Sequence, residues 1–105
     1  MQKLKKATIT TQWSKTLLKK IATVIIIRRV QGASMLPTIP HGKLVFGSSL
    51  IAVKPKSIVI ARHENTHIIK RVKKINKSLA YLAGDNKSIH HNMTVKKTDI
   101  LGVII

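Results

Sequence analysis

The sequence predicts a mainly β protein, a small antiparallel sheet or barrel preceded by a short basic helix. The chain has 105 residues, which is enough for one small domain. Hydrophobic residues make up 44% of it and aromatic residues only 3%, so the core must consist of aliphatic side chains, and abundant Ile and Val favour strands. Short β-branched runs alternate with turn residues from residue 30 onward, as is typical of a small antiparallel sheet.

Residues 1–29 are predicted to form a basic leader that contains the helix. Trp13, Leu17 and Ile21 recur at helical spacing, and the neighbouring lysines fall largely on the other side. This pattern is typical of a helix anchored on a membrane surface, and it fits equally well a helix that packs on the domain. The β-branched residues 23–27 are also compatible with the start of a strand. The longest apolar stretch is shorter than the roughly 20 residues that a membrane-spanning helix needs.

Residues 30–105 are predicted to form one β domain. The expected strands are residues 43–46, 57–61, 67–72, 79–82 and 100–105. Clusters of Gly, Pro, Asn and Asp between these runs predict the turns that join them.

The charge of the chain predicts an anionic neighbour. Lys and Arg total 20, and the three acidic residues are Glu64, Asp85 and Asp99, which gives a net charge of +17. Such a balance indicates an anionic membrane surface or nucleic acid. Nucleic acid is the less favoured partner because the three aromatic residues are too scattered for a base-stacking platform. The absence of cysteine excludes disulfides and Cys-based metal sites.

A candidate nucleophile, Ser34, lies on a loop that begins with Gly32 and is stiffened by Pro37. A serine hydroxyl needs a neighbouring base to act as a nucleophile. We expect Gly32 and Met35 to border the substrate, with backbone N–H groups facing a developing oxyanion. An ordinary serine in a strand-to-turn connection fits the same segment.

A candidate base, Lys70, follows Ser34 in a β-branched segment. Because strand side chains alternate, Ile68, Lys70 and Val72 share one face. Ile69, Arg71 and Lys73 share the other face, which we expect to be exposed to solvent because it carries two cations. Lys70 then points inward, and burial lowers the pKa of its amine, as a general base requires. The alternative is an edge strand whose Lys70 reaches solvent.

Three motifs occur in a fixed order: Ser34-Met35-Leu36-Pro37-Thr38, Lys70-Arg71-Val72 and Gly84-Asp85-Asn86. With them, residues 30–105 resemble the type I signal peptidase family, and the compact form is similar to its short maturation-protease branch. The resemblance implies a signal-peptidase catalytic core that needs no cofactor or metal. It also implies cleavage after small residues, typically Ala-x-Ala, in exported precursors, at a membrane and with the active site on the extracytoplasmic side.

The resemblance also implies roles for individual residues. Ser34 is the nucleophile, Lys70 the general base, and Gly84, Asp85 and Asn86 support them. Ser88 takes the place of the family's lysine-orienting serine if two residues are deleted, and otherwise His90 stands there. The chain departs from the family in having Gly42-Lys43 after the nucleophile loop and in lacking the Asp-Ser-Arg that follows the Gly-Asp-Asn motif.

Two other enzyme readings fit part of the sequence. LexA-like self-cleaving domains also pair a Ser-Met loop with a strand lysine. His63-Glu64-Asn65-Thr66-His67 matches the zinc protease signature His-Glu-x-x-His, with His90 or His91 as a third ligand. That chemistry requires a helix, however, and β-like flanks instead predict a hairpin turn at residues 64–66. A non-catalytic basic protein that binds nucleic acid is the alternative outside enzymes.

Overall fold

A computed structural model describes residues 24–105, and the predicted helix in the leader lies outside these residues. The described chain is a seven-stranded antiparallel sheet curled into a half-barrel, which confirms the mainly β class. The strands are β1 (Ile25–Arg29), β2 (Leu44–Ser48), β3 (Ile58–His63), β4 (Thr66–Ile75), β5 (Leu79–Ala83), β6 (Asn92–Lys96) and β7 (Ile100–Ile104), and a 3-10 helix (Lys97–Asp99) precedes β7. Their order in the sheet is β1-β2-β7-β3-β4-β5-β6. Within residues 24–105, no helix is long and apolar enough to cross a bilayer.

The five predicted strands correspond to β2, β3, β4, β5 and β7. Strand β1 agrees with the alternative that residues 23–27 begin a strand, and β6 was not predicted. Strand β6 shows a short alternation in which Met93 and Val95 are more buried than their neighbours, and its polar positions obscured the pattern. Strand β1 pairs with β2 in antiparallel register, Ile27 opposite Phe46, so the sheet begins before residue 30, within the segment assigned to the leader. A strand with an exposed face depends on its partner, which the local sequence does not specify.

The β3–β4 hairpin places the lysine strand in the middle of the sheet. Glu64 and Asn65 have φ angles of +47° and +62°, so the two-residue turn has the left-handed geometry that fits the twist of a hairpin. This confirms the turn predicted there. The register then sets Lys70 opposite Val59, which is fully buried.

Two apolar clusters cover the two faces of β3. One cluster contains Val59, Ala61, Val72, Ala80, Leu82, Val95 and Val103, and the other contains Val30, Met35, Ile39, Val45 and Ile60. Successive β3 side chains alternate between them, as strand geometry requires. The second cluster includes Met35, so the loop that carries Ser34 is packed onto the sheet by the residue that follows the serine.

Candidate active site

Ser34 and Lys70 meet although 36 positions separate them in the chain. Lys70 Nζ lies 2.6 Å from Ser34 Oγ. Lys70 is only 5% exposed, and within residues 24–105 Ser34 is its sole side-chain hydrogen-bond partner. Burial lowers the pKa of the Lys70 amine, because desolvation penalises the charged form. The site therefore holds a serine hydroxyl against an amine that is biased toward its neutral state.

Both faces of β4 carry side chains that are at least half-buried, so the prediction that one face is exposed to solvent was wrong in part. Lys70 is buried beside Ile68 and Val72, as strand alternation predicted. The opposite face was expected to be exposed, and Lys73 is exposed, whereas Ile69 is half-buried against the second apolar cluster. Arg71, however, is half-buried because it folds onto Asp85. The expectation failed because the partner of Arg71 lies on a different segment of the chain.

The nucleophile loop is a tight, anchored turn. Met35 is 1% exposed, its carbonyl accepts a hydrogen bond from Ile39 N–H at 2.8 Å, and Ala33 O accepts one from Leu36 N–H at 3.2 Å. The backbone N–H groups of Ser34 and Met35 have no acceptor among residues 24–105. Gly32, by contrast, donates its N–H to His41 Nδ1 at 2.9 Å and has a φ of +85°. Among the described residues, the N–H groups of Ser34 and Met35 are therefore available beside the nucleophile, whereas that of Gly32 is engaged.

The Gly84-Asp85-Asn86 segment holds the nucleophile loop from the other side. Asn86 N–H donates to Ser34 O at 2.8 Å, and Asn86 Nδ2 donates to Ala33 O at 2.9 Å. Gly84 is so close that a Cβ added to it would stand 2.5 Å from Ser34 O. Only glycine allows this approach, because real Cβ atoms do not come that near to a backbone oxygen.

Asp85 joins the nucleophile loop to the lysine strand. Arg71 Nε and Nη2 donate to its two carboxylate oxygens, each at 2.8 Å, and Thr38 Oγ1 donates to Oδ2 at 2.5 Å. The hydrogen bond from Arg71 is the main reason that the pKa of Asp85 is lowered. An Asp–Arg pair is therefore present, formed by residues other than those that carry it in the family motif.

Arg71 and Thr38 belong to the lysine motif and the nucleophile motif, but the sequence analysis did not predict that they support the site. A signal was available: the chain has only three acidic residues, and one of them lies within Gly-Asp-Asn. A carboxylate that becomes partly buried among so many cations will pair with one of them. Sequence alone does not select Arg71 from the 20 basic residues.

Ser88 is not brought to Lys70. Ser88 is exposed, and its backbone N–H donates to Asn86 Oδ1 at 3.0 Å. Within residues 24–105 its hydroxyl forms no hydrogen bond, so the orienting position inferred from the family motif is not occupied by this side chain.

The zinc-protease signature lies in the hairpin and is split by it. Arg62 pairs with His67, and His63 pairs with Thr66, so the side chains of His63 and His67 point to opposite faces of the sheet. In the described part of the chain, no group of three or more His, Asp or Glu residues is placed to hold a metal ion. The i, i+4 spacing presents two ligands on one face of a helix, and here the two-residue turn between β3 and β4 breaks that arrangement.

A groove leads to Ser34 between the end of β1 and the first half of β4. It has a volume of about 440 Å³, and Ser34, Met35 and Lys70 line it together with Arg28 and Arg29. Strand β1 stands at one end of the strand order, so one of its edges is unpaired in the sheet that residues 24–105 form. An open strand edge beside a groove is suited to an extended peptide, which forms backbone hydrogen bonds along such an edge.

Comparison with known proteins identifies the family. A family model described as Peptidase S24-like matches residues 2–105, nearly the whole chain. No curated protein matches the chain. The matched family is related to both LexA and signal peptidase I, in agreement with the ordered serine, lysine and Gly-Asp-Asn motifs. The chain belongs to the Peptidase S24-like family.

Proposed function

We propose that this protein is a serine endopeptidase in which Ser34 is the nucleophile and Lys70 the general base. The observation that carries the proposal is the 2.6 Å distance between Lys70 Nζ and Ser34 Oγ, with Lys70 almost completely buried. A neutral lysine can accept a proton at Nζ. At this distance it can take the proton of the Ser34 hydroxyl, which makes Oγ a nucleophile.

In the proposed reaction, neutral Lys70 removes the hydroxyl proton as Ser34 Oγ attacks the scissile carbonyl carbon. The carbonyl oxygen becomes an oxyanion, and its candidate donors are the N–H groups of Ser34 and Met35, which have no acceptor among residues 24–105. The Lys70 ammonium then gives its proton to the leaving amine as the C–N bond breaks. Water, deprotonated by Lys70, hydrolyses the acyl–serine ester and restores both residues.

The proposed substrates are precursor proteins with small residues before the cleavage site, of the Ala-x-Ala type. This substrate class follows from the resemblance to type I signal peptidases, and the groove beside Ser34 supplies room for an extended segment. The proposed roles of Asp85, Asn86 and Gly84 are to keep the nucleophile loop at its distance from Lys70.

The proposed setting is an anionic membrane surface, with the protein bound peripherally and its active site on the extracytoplasmic side. Two features support docking on lipid. The net charge is +17. One face of the β1–β2 ribbon also exposes the side chains of Ile25, Ile27, Leu44 and Phe46, which are each at least 36% accessible. Flotation with vesicles tests this. The protein is expected to bind phosphatidylglycerol vesicles and not phosphatidylcholine vesicles, and a protein that binds neither kind would refute the proposed setting.

The experiment for the activity is cleavage of a precursor that carries an Ala-x-Ala site, in detergent or lipid. Wild-type protein is compared with Ser34→Ala and Lys70→Ala, and the exposed Ser49→Ala serves as the matched control. Cleavage by wild type and by Ser49→Ala, with loss in the other two variants, is expected. Cleavage that persists without Ser34 would exclude the proposed nucleophile.

A second candidate, self-cleavage of the LexA type, is favoured by the match to the Peptidase S24-like family. It differs in molecularity, because an intramolecular reaction has a rate constant independent of protein concentration. Incubation of the protein alone at several concentrations, followed by mass spectrometry, distinguishes the two. A Ser34-dependent fragment formed at a constant fractional rate would identify self-cleavage.

A further inference from the structure

The groove that ends at Ser34 continues past a cluster of three cationic or nitrogen-bearing side chains. Arg28 on β1 donates from Nε to His67 Nδ1 on β4 at 2.6 Å, which bridges two strands that are not neighbours in the sheet. Arg62 pairs with His67 in the β3–β4 register and therefore lies on the same face. A second depression of about 510 Å³, lined by Arg28, Arg62 and His67, adjoins the groove through the residues that they share.

No acidic side chain of this chain lies in the cluster. The chain has three acidic residues, Glu64, Asp85 and Asp99. Asp85 is bound by Arg71, and neither Glu64 nor Asp99 lines either depression. Glu64 has a side chain that is 86% exposed and lies 3.9 Å from His63, on the face opposite to Arg62. The charges of the two arginines affect His67. Desolvation is the largest cause that lowers the pKa of His67, and the positive charges of Arg28 and Arg62 lower it further.

We propose that Arg28, Arg62 and His67 form a subsite that selects a carboxylate side chain of the peptide substrate, at a distance from the scissile bond. The inference rests on the proposed peptidase function and adds a substrate preference to it. An acidic side chain placed between the two arginines receives charge-assisted hydrogen bonds and replaces the counter-charge that the fold does not supply. His67 and Lys70 are three positions apart on β4, so at about 3.3 Å per residue the carboxylate lies roughly three residues from the bond that is cut.

The experiment uses the full chain and a set of Ala-x-Ala peptides in which one residue is Glu, Gln or Lys. This residue is moved through positions two to six on each side of the scissile bond. At one or two positions, all on one side, kcat/KM for Glu is expected to exceed that for Gln by about fivefold, the size of an exposed ion pair. Lys at the same positions is expected to lower kcat/KM. The preference shrinks as NaCl rises, because salt screens charges at the surface.

Variants assign the preference to the cluster. Arg28→Gln and Arg62→Gln are each expected to bring the Glu-to-Gln ratio of kcat/KM to near one, and this ratio does not depend on any general loss of cleavage in the variant. Lys77→Gln, an exposed lysine outside both depressions, is the matched control and keeps the wild-type ratio. Equal cleavage of Glu and Gln peptides by the wild-type protein would overturn the subsite and leave the peptidase function intact.

Binding keeps the two proposals distinguishable. If no peptide is cleaved, fluorescence anisotropy with the same labelled peptides still tests the cluster, and Arg28-dependent binding of the Glu peptide supports the subsite while the peptidase proposal fails. Equal binding of the Glu and Gln peptides overturns the subsite. An unrelated oligonucleotide that binds more tightly than the Glu peptide, and loses this binding with Arg28→Gln, would assign the cluster to nucleic acid and overturn the peptide proposal.

Discussion

The two ends of the segment 63–70 carry two protease signatures, and the fold assembles only one of them. At the hairpin end, His63 and His67 have the spacing of a zinc site, but the two-residue turn between them and the β3–β4 register direct them to opposite faces. Farther along the same strand, Lys70 has no sequence neighbour that suggests catalysis, and it lies 2.6 Å from Ser34 Oγ. The comparison teaches that ligand spacing acquires chemical meaning only in the secondary structure for which it evolved.

The sharpest way to break this comparison is to exchange lysines on β4. Lys70→Met removes the proposed base but retains an apolar side chain of similar length, so kcat/KM is expected to fall by about 10³-fold or more. Lys74→Met, at an exposed position of the same strand, is expected to leave kcat/KM unchanged. Peptide cleavage followed by mass spectrometry measures both, and comparable losses in the two variants would contradict a special role for Lys70.

The next largest effect concerns protonation of the base. Since burial lowers the pKa of Lys70, the active neutral form appears at a pH below the ordinary lysine value of 10.5. The profile of kcat/KM is expected to rise about tenfold per pH unit and to level off before that value. Hydrolysis rates of one peptide from pH 6 to 11 measure it, and a profile that still rises steeply beyond pH 10.5 is incompatible with a desolvated lysine base.

The contact between Gly84 and the nucleophile loop sharpens the comparison at Ser34. In Gly84→Ala the added methyl would stand 2.5 Å from Ser34 O, so the loop must move. A shift of the nucleophile is expected to lower kcat/KM about tenfold to a hundredfold. The control in the same segment is Ser88→Ala, because Ser88 is exposed and does not reach Lys70. A large loss in that control would instead support the orienting role inferred from the family motif.

The Asp85–Arg71 pair links both halves of the site, and its effect is expected on stability. Asp85→Asn should lower the free energy of unfolding by about 2 kcal/mol at pH 7, because the carboxylate accepts hydrogen bonds from Arg71 and Thr38. Its folded-state pKa is lowered, so this contribution is complete above about pH 4 and is lost as the pH falls through that pKa.

Urea denaturation of wild type and Asp85→Asn at pH 7 and pH 2.5 measures this difference. Asp99→Asn is the control, since Asp99 has no ion-pair partner within residues 24–105. A difference that persists undiminished at the lower pH would show that the pair's charge does not stabilise the fold.

The smallest effect is expected at the hairpin end. His63→Ala should change the free energy of unfolding by no more than about 0.5 kcal/mol, as is usual at surface positions. A zinc chelator should leave cleavage unchanged, because the two histidines diverge. Loss of cleavage on chelation, restored by added Zn²⁺, would revive the zinc-protease hypothesis for His63 and His67.

Sequence alone was sufficient for features that depend on near neighbours. Alternation along residues 68–72 predicted the inward direction of Lys70, and turn residues predicted the hairpin at Glu64 and Asn65. The pairing partner of β1 and the partner of Arg71 could not be predicted, because each is brought close by the fold, Phe46 for β1 and Asp85 for Arg71.

The ordered motifs identified the candidate residues of the site, and the tertiary structure determined which of them contact each other. Local periodicity assigns a side chain to a face, since it follows from backbone geometry within a few residues. The distance between Ser34 and Lys70, the approach of Gly84 to the nucleophile loop and the exclusion of Ser88 arise from packing between segments far apart in the chain. These contacts form only when the sheet curls and its two apolar clusters pack. No single stretch of the sequence determines that packing.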